Sequence, residues 1–372
     1  MKILYSCLSK SWGGMEMVTL TGIKQLLKNN IKVELLCLTD SRLQIEANNL
    51  GIIIHSIRVG NTFSPLSILK TYSIIKSGNY DLIHSHASKD LWLIVPVLKI
   101  LKSNVPLVFT KHVGSYILKK DFLHNNIYSR VNLAIAISTV IKNNLIKTTS
   151  LIEDEIKIVF NGVDLIKFNP DKADKEKLRN ELDFADNDII IGMTGRFSPG
   201  KGHEEFLFTA NELNKKYTNL KFVIVGEASR GEDEYAKSIK QQAENYGITC
   251  IYFLGFRNDI PDVLASLDVF VFPSHAEAFG IALIEAMAME KPSVCSDSDG
   301  VLDIAINDKT GYLFKVKDGK DLSIKLEKLI LDSNKRRAFG LNARKRVEDI
   351  FEIEKITNQT IKHYSELIEI KK

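Results

Sequence analysis

The sequence predicts an α/β protein with two Rossmann-like domains, each a doubly wound parallel sheet with helices on both faces. Two observations lead to this prediction. Short apolar segments alternate with helical stretches, and the same plan runs through twice, on either side of a charge-rich polar segment. Such alternation is typical of parallel sheets with crossover helices. The two domains are therefore expected to face each other across a central cleft.

Thirteen apolar segments have the length and composition of buried strands. In the first half of the chain they are 2–6, 32–37, 52–57, 82–84, 107–110, 133–136 and 156–159. In the second half they are 189–193, 221–225, 251–253, 269–272, 292–295 and 311–313. Helical patterns lie between several of them, at 18–28, 65–77, 203–216, 233–246, 260–266, 280–288 and 320–331.

The domain boundaries follow from this pattern. We expect an N-terminal domain at 1–165, a polar linker at 166–188 with a short helix at 175–182, and a C-terminal domain at 189–352. A last helical stretch occupies 353–372.

The composition is that of an ordinary globular protein, with 372 residues, 45% hydrophobic and 26% charged. No apolar run reaches the roughly 18 residues of a membrane span, and the start of the chain lacks a signal-peptide pattern. The four cysteines are scattered without a CxxC pair, which indicates buried free thiols in a reducing compartment; they are Cys7, Cys37, Cys250 and Cys295. The predicted location is the cytoplasm.

The charge is unevenly distributed along the chain. Residues 1–165 hold 19 Lys and Arg against 11 Asp and Glu, a net charge of +8, whereas the remainder holds 31 against 35, a net charge of −4. A basic first half favours an anionic membrane surface, on which the protein would be peripheral, or an anionic acceptor. A generic solvated surface is the alternative, and a nucleic-acid partner is not expected.

The most informative segment is 277–285, which follows the apolar strand 269–272. Glu277 is expected in the loop at the carboxyl end of that strand, and Glu285 a little over two helical turns further on. Between them, the backbone amides of Phe279, Gly280 and Ile281 would lie at a helix N-terminus, which favours an anion. Two carboxylates for sugar and ribose hydroxyls, with amides for phosphate, would suit a nucleotide-sugar site. The alternative for Glu285 is a solvated helix residue.

A second loop supports this reading. The strand 189–193 is followed by a glycine-rich, basic loop that ends at residue 202. Its Gly195 allows close backbone approach, and Arg196 and Lys201 supply two cations. A loop of this kind after a strand suits a diphosphate.

Gly13-Gly14 follows the first predicted strand by several residues. A dinucleotide-binding protein would carry GxGxxG directly after that strand, so its absence counts against an NAD or FAD enzyme. From the residues alone, Gly13-Gly14 is either a ligand loop or an ordinary turn, and the lone His112 after the strand 107–110 is more often structural.

With these features in order, the whole chain resembles glycosyltransferase family 4, whose members have the GT-B fold and transfer sugars with retention of configuration. The matching features are Gly13-Gly14, His112, Asn161-Gly162-Val163-Asp164, Arg196 with Lys201, and Glu277 with Glu285.

The resemblance implies a role for each matching residue. Arg196 and Lys201 would neutralise the leaving diphosphate, and Glu285 would bind the ribose. Glu277 and the amides of 279–281 would hold the sugar, with His112 facing it across the cleft. Gly13, Gly14 and Gly195 would lie near the donor, Asn161–Asp164 would form a hinge, and the C-terminal helix would return to the first domain.

The resemblance also implies the substrates. A UDP-sugar is the default donor and a GDP-sugar the next choice, with Phe197 and the turn 255–257 as candidates to flank the base. The acceptor would be a glycan or glycolipid in bacterial surface polysaccharide biosynthesis, such as lipopolysaccharide. The alternatives are a nucleotide-sugar epimerase of the same fold and a non-catalytic scaffold.

No cofactor or metal ion is expected. Asp297-Ser298-Asp299 resembles a metal-binding DxD triplet, but cations and a helix N-terminus already serve the diphosphate. The family often has a Gly-Gly pair followed by a glutamate here, whereas this chain has Asp299-Gly300 and Asp303. His84 and His86 lack a third ligand for zinc and are interpreted as strand-end packing or as lining of the acceptor side.

One further stretch, from Lys119 to Ile127, combines lysines with apolar residues, among them Phe122 and Leu123. It is either a short membrane-interfacial segment or a mobile acceptor loop.

Overall fold

The computed structural model describes residues 1–58, 64–228 and 231–370. The chain forms two compact units. The first unit comprises Met1–Asn161 and the C-terminal segment from Ile353, and the second comprises Gly162–Glu352.

The first unit is built on a seven-stranded parallel sheet in the order β3-β2-β1-β4-β5-β6-β7. Its strands are β1 (Lys2–Cys7), β2 (Lys32–Leu38), β3 (Ile53–Ile57), β4 (Leu82–Ser85), β5 (Leu107–Lys111), β6 (Leu133–Ala136) and β7 (Ile156–Ile158). Its helices are α1 (Gly14–Lys28), α2 (Arg42–Asn49), α3 (Pro65–Gly78), α4 (Leu91–Ile100), α5 (Phe122–Tyr128) and α6 (Thr139–Thr148). The strands are mainly apolar because both faces of a doubly wound sheet are covered.

The second unit repeats the plan with a six-stranded parallel sheet in the order β10-β9-β8-β11-β12-β13. Its strands are β8 (Ile189–Thr194), β9 (Leu220–Val225), β10 (Ile251–Phe253), β11 (Val269–Phe272), β12 (Ser293–Ser296) and β13 (Gly311–Phe314). Its helices are α7 (Lys177–Glu181), α8 (His203–Asn214), α9 (Asp233–Asn245), α10 (Ile260–Ser266), α11 (Ile281–Ala288), α12 (Val301–Ile304), α13 (Gly319–Leu331) and α14 (Ser333–Arg346), followed by a π-helical turn at Val347–Phe351.

The C-terminal helix α15 (Ile353–Glu369) belongs to the first unit. It packs against α1 and places Tyr364 in the core of that unit. The Tyr364 hydroxyl lies 2.8 Å from the Tyr5 hydroxyl of β1. The last helix of the chain therefore completes the packing around the first strand.

All thirteen predicted strands are present, with ends that differ by one residue at most. Helix α1 starts at Gly14, four residues before the predicted start, because the Glu16 carboxylate accepts a hydrogen bond from Gly13 N–H at 2.9 Å and caps the helix. Six helices were not among the predicted segments: α2, α4, α5, α6, α12 and α14.

The boundary between the units lies between Asn161 and Gly162, four residues before the expected one. The segment expected to be a linker is packed on the second unit instead. Leu178 of α7 is fully buried, and its N–H donates to Ser266 Oγ at 3.3 Å. Val163 donates from its N–H to Phe351 O at 2.8 Å. The first and last segments of the second unit, where the chain enters and leaves it, therefore lie side by side.

No helix among the described residues is both long enough and apolar enough to cross a membrane. All four cysteines are free and buried, which confirms the prediction of free thiols.

Candidate functional site

The second unit has its topological switch point at β8, which lies between β9 and β11. In doubly wound sheets, ligands bind at the carboxyl ends of the strands beside this point. The loop 195–202 leaves the end of β8 and the loop 273–280 leaves the end of β11. The fold therefore brings the two loops that the sequence analysis singled out to one edge of the sheet.

Backbone contacts hold these two loops together. His275 donates from its N–H to Gly200 O at 2.8 Å. Gly202 has a φ of +80°, and a Cβ at this position would lie 2.2 Å from Pro273 O. Only glycine fits there, because the position combines a left-handed backbone with close backbone approach.

The side chains of Lys201 and Glu277 form an ion pair across the two loops, with 2.6 Å between Nζ and Oε2. Their side chains are 26% and 19% exposed, so both remain accessible to a ligand. The sequence predicts both residues for the site but not that they pair.

A third loop, after β12, supports Glu277 from behind. Gly300 donates from its N–H to Glu277 O at 2.9 Å, and Ser296 Oγ donates to Ser274 O at 2.5 Å. A Cβ on Gly300 would lie 2.5 Å from Ala278 O. The glycine of the Asp299-Gly300 pair thus positions the backbone of Glu277, a role that the sequence did not predict.

Helix α11 begins at Ile281 with Gly280 as its N-cap at a φ of +121°. The amides of its first turn lack acceptors within the helix, so they suit an anion. The Phe279 side chain is buried, with its ring 5.8 Å from that of Phe351. Phe279 can therefore contact a ligand only through its backbone.

Glu285 lies on α11 and is half-buried. Burial raises the pKa of its carboxyl to about 7, and the positive charge of Lys167 opposes this rise. The group is therefore poised between its neutral and charged forms near neutral pH, unlike the solvated helix residue that was the alternative.

Gly195 and Arg196 are exposed on the loop after β8. Phe197, by contrast, is buried in the core of the second unit and stacks on His203 with 4.6 Å between ring centroids. Its ring is therefore committed to the core, which counts against the suggested base contact. Phe256 is 59% exposed and retains an accessible ring.

Among the described residues, no group of three or more His, Cys, Asp or Glu side chains is arranged to hold a metal ion, and this includes Asp297 and Asp299.

The first unit has its switch point between β1 and β4. Asp90, at the start of α4, is fully buried there and accepts from Ser6 Oγ at 2.8 Å and from Leu8 N–H at 3.2 Å. Burial raises the pKa of Asp90 to about 7, while these hydrogen bonds oppose the rise. Asp90 thus fixes the loop that leads to Gly13 and Gly14. An aspartate directly before an apolar helix was the signal that could have revealed it.

Gly13 and Gly14 lie at the N-terminus of α1, where the N–H of Gly13 is occupied by Glu16.

A buried group of histidines lies at the ends of β4 and β5. His112 Nε2 lies 3.1 Å from His86 Nδ1, and their rings are stacked with centroids 5.4 Å apart. Burial, together with the positive charge of Lys111, lowers the pKa of His112 to about 4. His112 is therefore neutral at pH 7.

His84 belongs to the same group but faces the C-terminal helix. Its Nδ1 lies 2.5 Å from Tyr364 Oη and its Nε2 lies 2.7 Å from Thr110 Oγ1. This agrees with the interpretation of His84 as strand-end packing.

An apolar segment, defined here as residues 113–123, follows His112 on the surface of the first unit. Its large apolar side chains are mostly exposed: Val113 66%, Tyr116 102%, Ile117 70%, Leu118 65%, Phe122 83% and Leu123 59%. The backbone is nevertheless fixed, because Asn144 accepts from Ser115 N–H at 2.8 Å and donates to Ser115 O at 2.9 Å. Ile127, which the sequence analysis grouped with this stretch, is buried.

Two family models match the chain, one in each unit. The model described as "Glycosyltransferase Family 4" matches residues 12–167, and "Glycosyl transferases group 1" matches residues 174–346.

Two named glycosyltransferases are similar in sequence to this chain. The capsular polysaccharide biosynthesis glycosyltransferase CapM of Staphylococcus aureus is 32% identical over 221 residues, which cover 58% of this chain and 57% of that protein. The N,N'-diacetylbacillosaminyl-diphospho-undecaprenol alpha-1,3-N-acetylgalactosaminyltransferase of Campylobacter jejuni is 29% identical over 301 residues, covering 76% of this chain and 77% of that protein.

Among solved structures, the Anabaena protein HepE in complex with UDP superposes with a TM-score of 0.87 at 25% identity, covering 98% of this chain and 100% of that chain. The same protein has also been solved with UDP-glucose. With one family model matched in each of the two Rossmann-like units, the chain belongs to the glycosyltransferases of family 4, the group 1 enzymes of the GT-B fold.

Proposed function

We propose that this glycosyltransferase moves a sugar from a nucleoside-diphosphate sugar, with retention of configuration, to a glycan or lipid-linked acceptor in bacterial cell-surface polysaccharide biosynthesis. A UDP-sugar is the first choice of donor and a GDP-sugar the second. The observation that carries this proposal is the cluster at the switch point of the second sheet, where Lys201, Glu277 and the α11 N-terminus converge.

The residues of the second unit supply complementary chemistry. Arg196 and Lys201 would stabilise the diphosphate as negative charge develops on it, and the amides at the start of α11 would add to this field. Glu277 would accept hydrogen bonds from sugar hydroxyls while it stays within reach of Lys201. Glu285 would accept hydrogen bonds from the ribose.

The transfer step breaks the bond between the anomeric carbon and the diphosphate oxygen, and the nucleoside diphosphate leaves with the electron pair. The acceptor hydroxyl oxygen bonds to the same carbon, and its proton passes to the leaving phosphate. No protein nucleophile is needed, so positioning and electrostatics would supply the rate enhancement. His112, neutral at pH 7, would hydrogen-bond the transferred sugar, and no metal ion or other cofactor is required.

The acceptor side of the proposal draws on the relatives. CapM is named for capsular polysaccharide, and the Campylobacter enzyme for an undecaprenol-diphosphate acceptor. The exposed apolar segment and the net charge of +8 over residues 1–165 support work at the cytoplasmic face of an anionic membrane.

Thermal unfolding in the presence of nucleotides tests the donor site, because a ligand that binds only the folded protein raises the melting temperature. We expect UDP to stabilise the protein with EDTA present, and Lys201→Ala to abolish most of this shift. Lys215→Ala, which removes an exposed lysine on the same unit, is the matched control. Stabilisation by GDP instead would change the donor but keep the site.

Product analysis completes the test. Incubation of the donor sugar with lipid-linked acceptor should yield a glycoside with the anomeric configuration of the donor, as read by NMR. Release of an epimerised sugar without acceptor would favour the epimerase. No shift with any nucleotide would contradict the proposed donor site.

A further inference from the structure

Two lysines of the first unit lie together at the end of β5. Lys111 is buried, and its Nζ donates to Ser88 Oγ at 3.1 Å. The side chain of Lys119 lies within hydrogen-bonding reach of Lys111. Lys119 is only half-buried, so it gives the pair access from solvent.

No carboxylate compensates this pair. Among residues 1–58, 64–228 and 231–370, neither Lys111 nor Lys119 forms an ion pair with Asp or Glu, and none of the remaining residues is acidic. Burial, together with the positive charge of Lys119, lowers the pKa of Lys111 to about 8. Two neighbouring amines without a counter-charge favour binding of an anion. The negative charge of the anion offsets the cost of burying the ammonium groups and the repulsion between them.

The residue next to Lys111 contacts a histidine that has an unsatisfied polar atom. His112 follows Lys111 directly in the chain and contacts His86, whose Nε2 is buried without a hydrogen-bond partner among the described residues. Buried polar atoms rarely stay unsatisfied, so this unpaired nitrogen, on the histidine that contacts the residue next to Lys111, indicates a place for a ligand oxygen.

The surroundings indicate what carries the anion. The chain between Lys111 and Lys119 is the first part of the apolar segment, with Tyr116, Ile117 and Leu118 exposed. An anion bound by the two lysines would therefore have a lipid-compatible surface within a few residues. A phosphorylated lipid fits both features, whereas a free anion uses only the first.

We propose that Lys111 and Lys119 bind the diphosphate of a lipid-linked acceptor, with the apolar segment contacting its hydrocarbon chain. This inference rests on the proposed function for its biological meaning, but the binding itself can be measured without donor or transfer. The chemistry recognised is a diphosphate ester, and the lipid is what distinguishes it from free pyrophosphate.

Calorimetry on the full-length protein tests the lysines, with farnesyl diphosphate and inorganic pyrophosphate as separate probes. Lys119→Gln and Lys111→Met should each weaken farnesyl diphosphate binding by roughly tenfold or more, the effect of losing a charge-assisted hydrogen bond. Lys147→Gln removes an exposed lysine from α6 and should leave binding unchanged. Since Lys119 is half-buried, its variant stays informative even if Lys111→Met folds poorly.

The second arm identifies the carrier. Farnesyl diphosphate should bind more tightly than pyrophosphate, and the double variant Tyr116→Ser/Ile117→Ser should remove that difference. Equal binding of the two probes would overturn the lipid assignment. Equal effects of Lys147→Gln and Lys119→Gln, or no binding of either probe, would overturn the site.

The two proposals fail separately. Lys201→Ala should reduce UDP binding and leave farnesyl diphosphate binding intact. Absence of UDP binding in the wild type would contradict the donor site alone, and loss of farnesyl diphosphate binding in Lys201→Ala would show that the probe binds the second unit instead.

Discussion

The pairing of Lys201 with Glu277 shows how a single contact serves a site before any ligand arrives. A partly exposed ion pair contributes little to stability, typically below about 1 kcal/mol. Its geometry matters more: the carboxylate holds the ammonium group at the end of β8, beside the first turn of α11. The side chain of Lys201 is then already in position when a diphosphate binds, which is a form of preorganisation.

The ionisation of Glu285 couples the stability of the second unit to pH near neutrality. Its pKa in the folded protein is about 7, above the usual 4.5. Between these values the folded chain keeps a proton that the unfolded chain releases, so this carboxyl makes the free energy of unfolding fall as pH rises from 4.5 to 7. Glu285→Gln stays neutral, and it should therefore stabilise the second unit by about 1–3 kcal/mol at pH 8 and have little effect at pH 4.

Denaturant unfolding of the wild type and Glu285→Gln at both pH values measures this effect. Glu244→Gln, an exposed glutamate of α9, serves as the control and should show no pH-dependent difference. A gain for Glu285→Gln that is equal at pH 4 and pH 8 would contradict the raised pKa.

At the scale of elements, the candidate site of the second unit consists of three loops tied to one another. The loop after β8 contacts the loop after β11 through Gly200 and Gly202, and the loop after β12 contacts it through Gly300. Glycine is needed at 202 and 300 because a Cβ at either position would overlap backbone atoms. The loops therefore act as one rigid support for Glu277 and Lys201.

Gly202→Ala tests this support. The new Cβ would lie 2.2 Å from Pro273 O at a φ of +80°, so it should separate the two loops. We expect a loss of about 2–4 kcal/mol in the stability of the second unit, from backbone strain together with the clash. UDP stabilisation should be lost as well.

Gly247→Ala provides the matched control. Gly247 has a φ of +63° with nothing within 4 Å of an added Cβ, so it isolates the backbone term of about 1 kcal/mol. Scanning calorimetry with and without UDP measures both variants. If Gly202→Ala behaves like Gly247→Ala, the close approach to Pro273 is not what holds the loops.

At the scale of the whole molecule, the charge and the exposed apolar side chains are concentrated on the same unit. The first unit holds the basic half of the sequence and the apolar segment 113–123. An anionic lipid surface attracts lysines, and the exposed side chains can enter the interface.

Vesicle flotation measures this association. The protein should float with vesicles that contain phosphatidylglycerol and not with neutral vesicles, and 0.5 M salt should reduce binding because it screens the lysines. Phe122→Ser/Leu123→Ser should lower the bound fraction at low salt, whereas Ile324→Ser/Leu331→Ser, which changes exposed residues of α13, should not. Equal binding to neutral vesicles would argue against the electrostatic part.

The sequence predicted the architecture well because the pattern of buried strands is local. Each strand of a doubly wound sheet is covered on both faces, so it reads as an apolar run wherever it lies. Helices α2, α5 and α14 were not predicted, because their apolar faces are short and most of their residues are polar. The early start of α1 depends on one side chain, Glu16, reaching back to Gly13.

The identity of the candidate residues also came from the sequence, because Lys201, Glu277 and Glu285 sit in recognisable strand–loop–helix contexts. The contacts that these residues make could not be predicted from the sequence. The Lys201–Glu277 pair joins residues 76 positions apart, and Asp90 holds the loop after β1 from 82–84 positions away. Tyr364 packs on Tyr5 and His84 only because the last helix returns to the first unit. The order of strands in the sheet brings these residues together although they are far apart in the sequence. The shifted pKa values of Glu285 and Lys111 arise from burial, which occurs only when distant segments exclude water from the same place. Local sequence patterns therefore predict neither the contacts nor the pKa shifts.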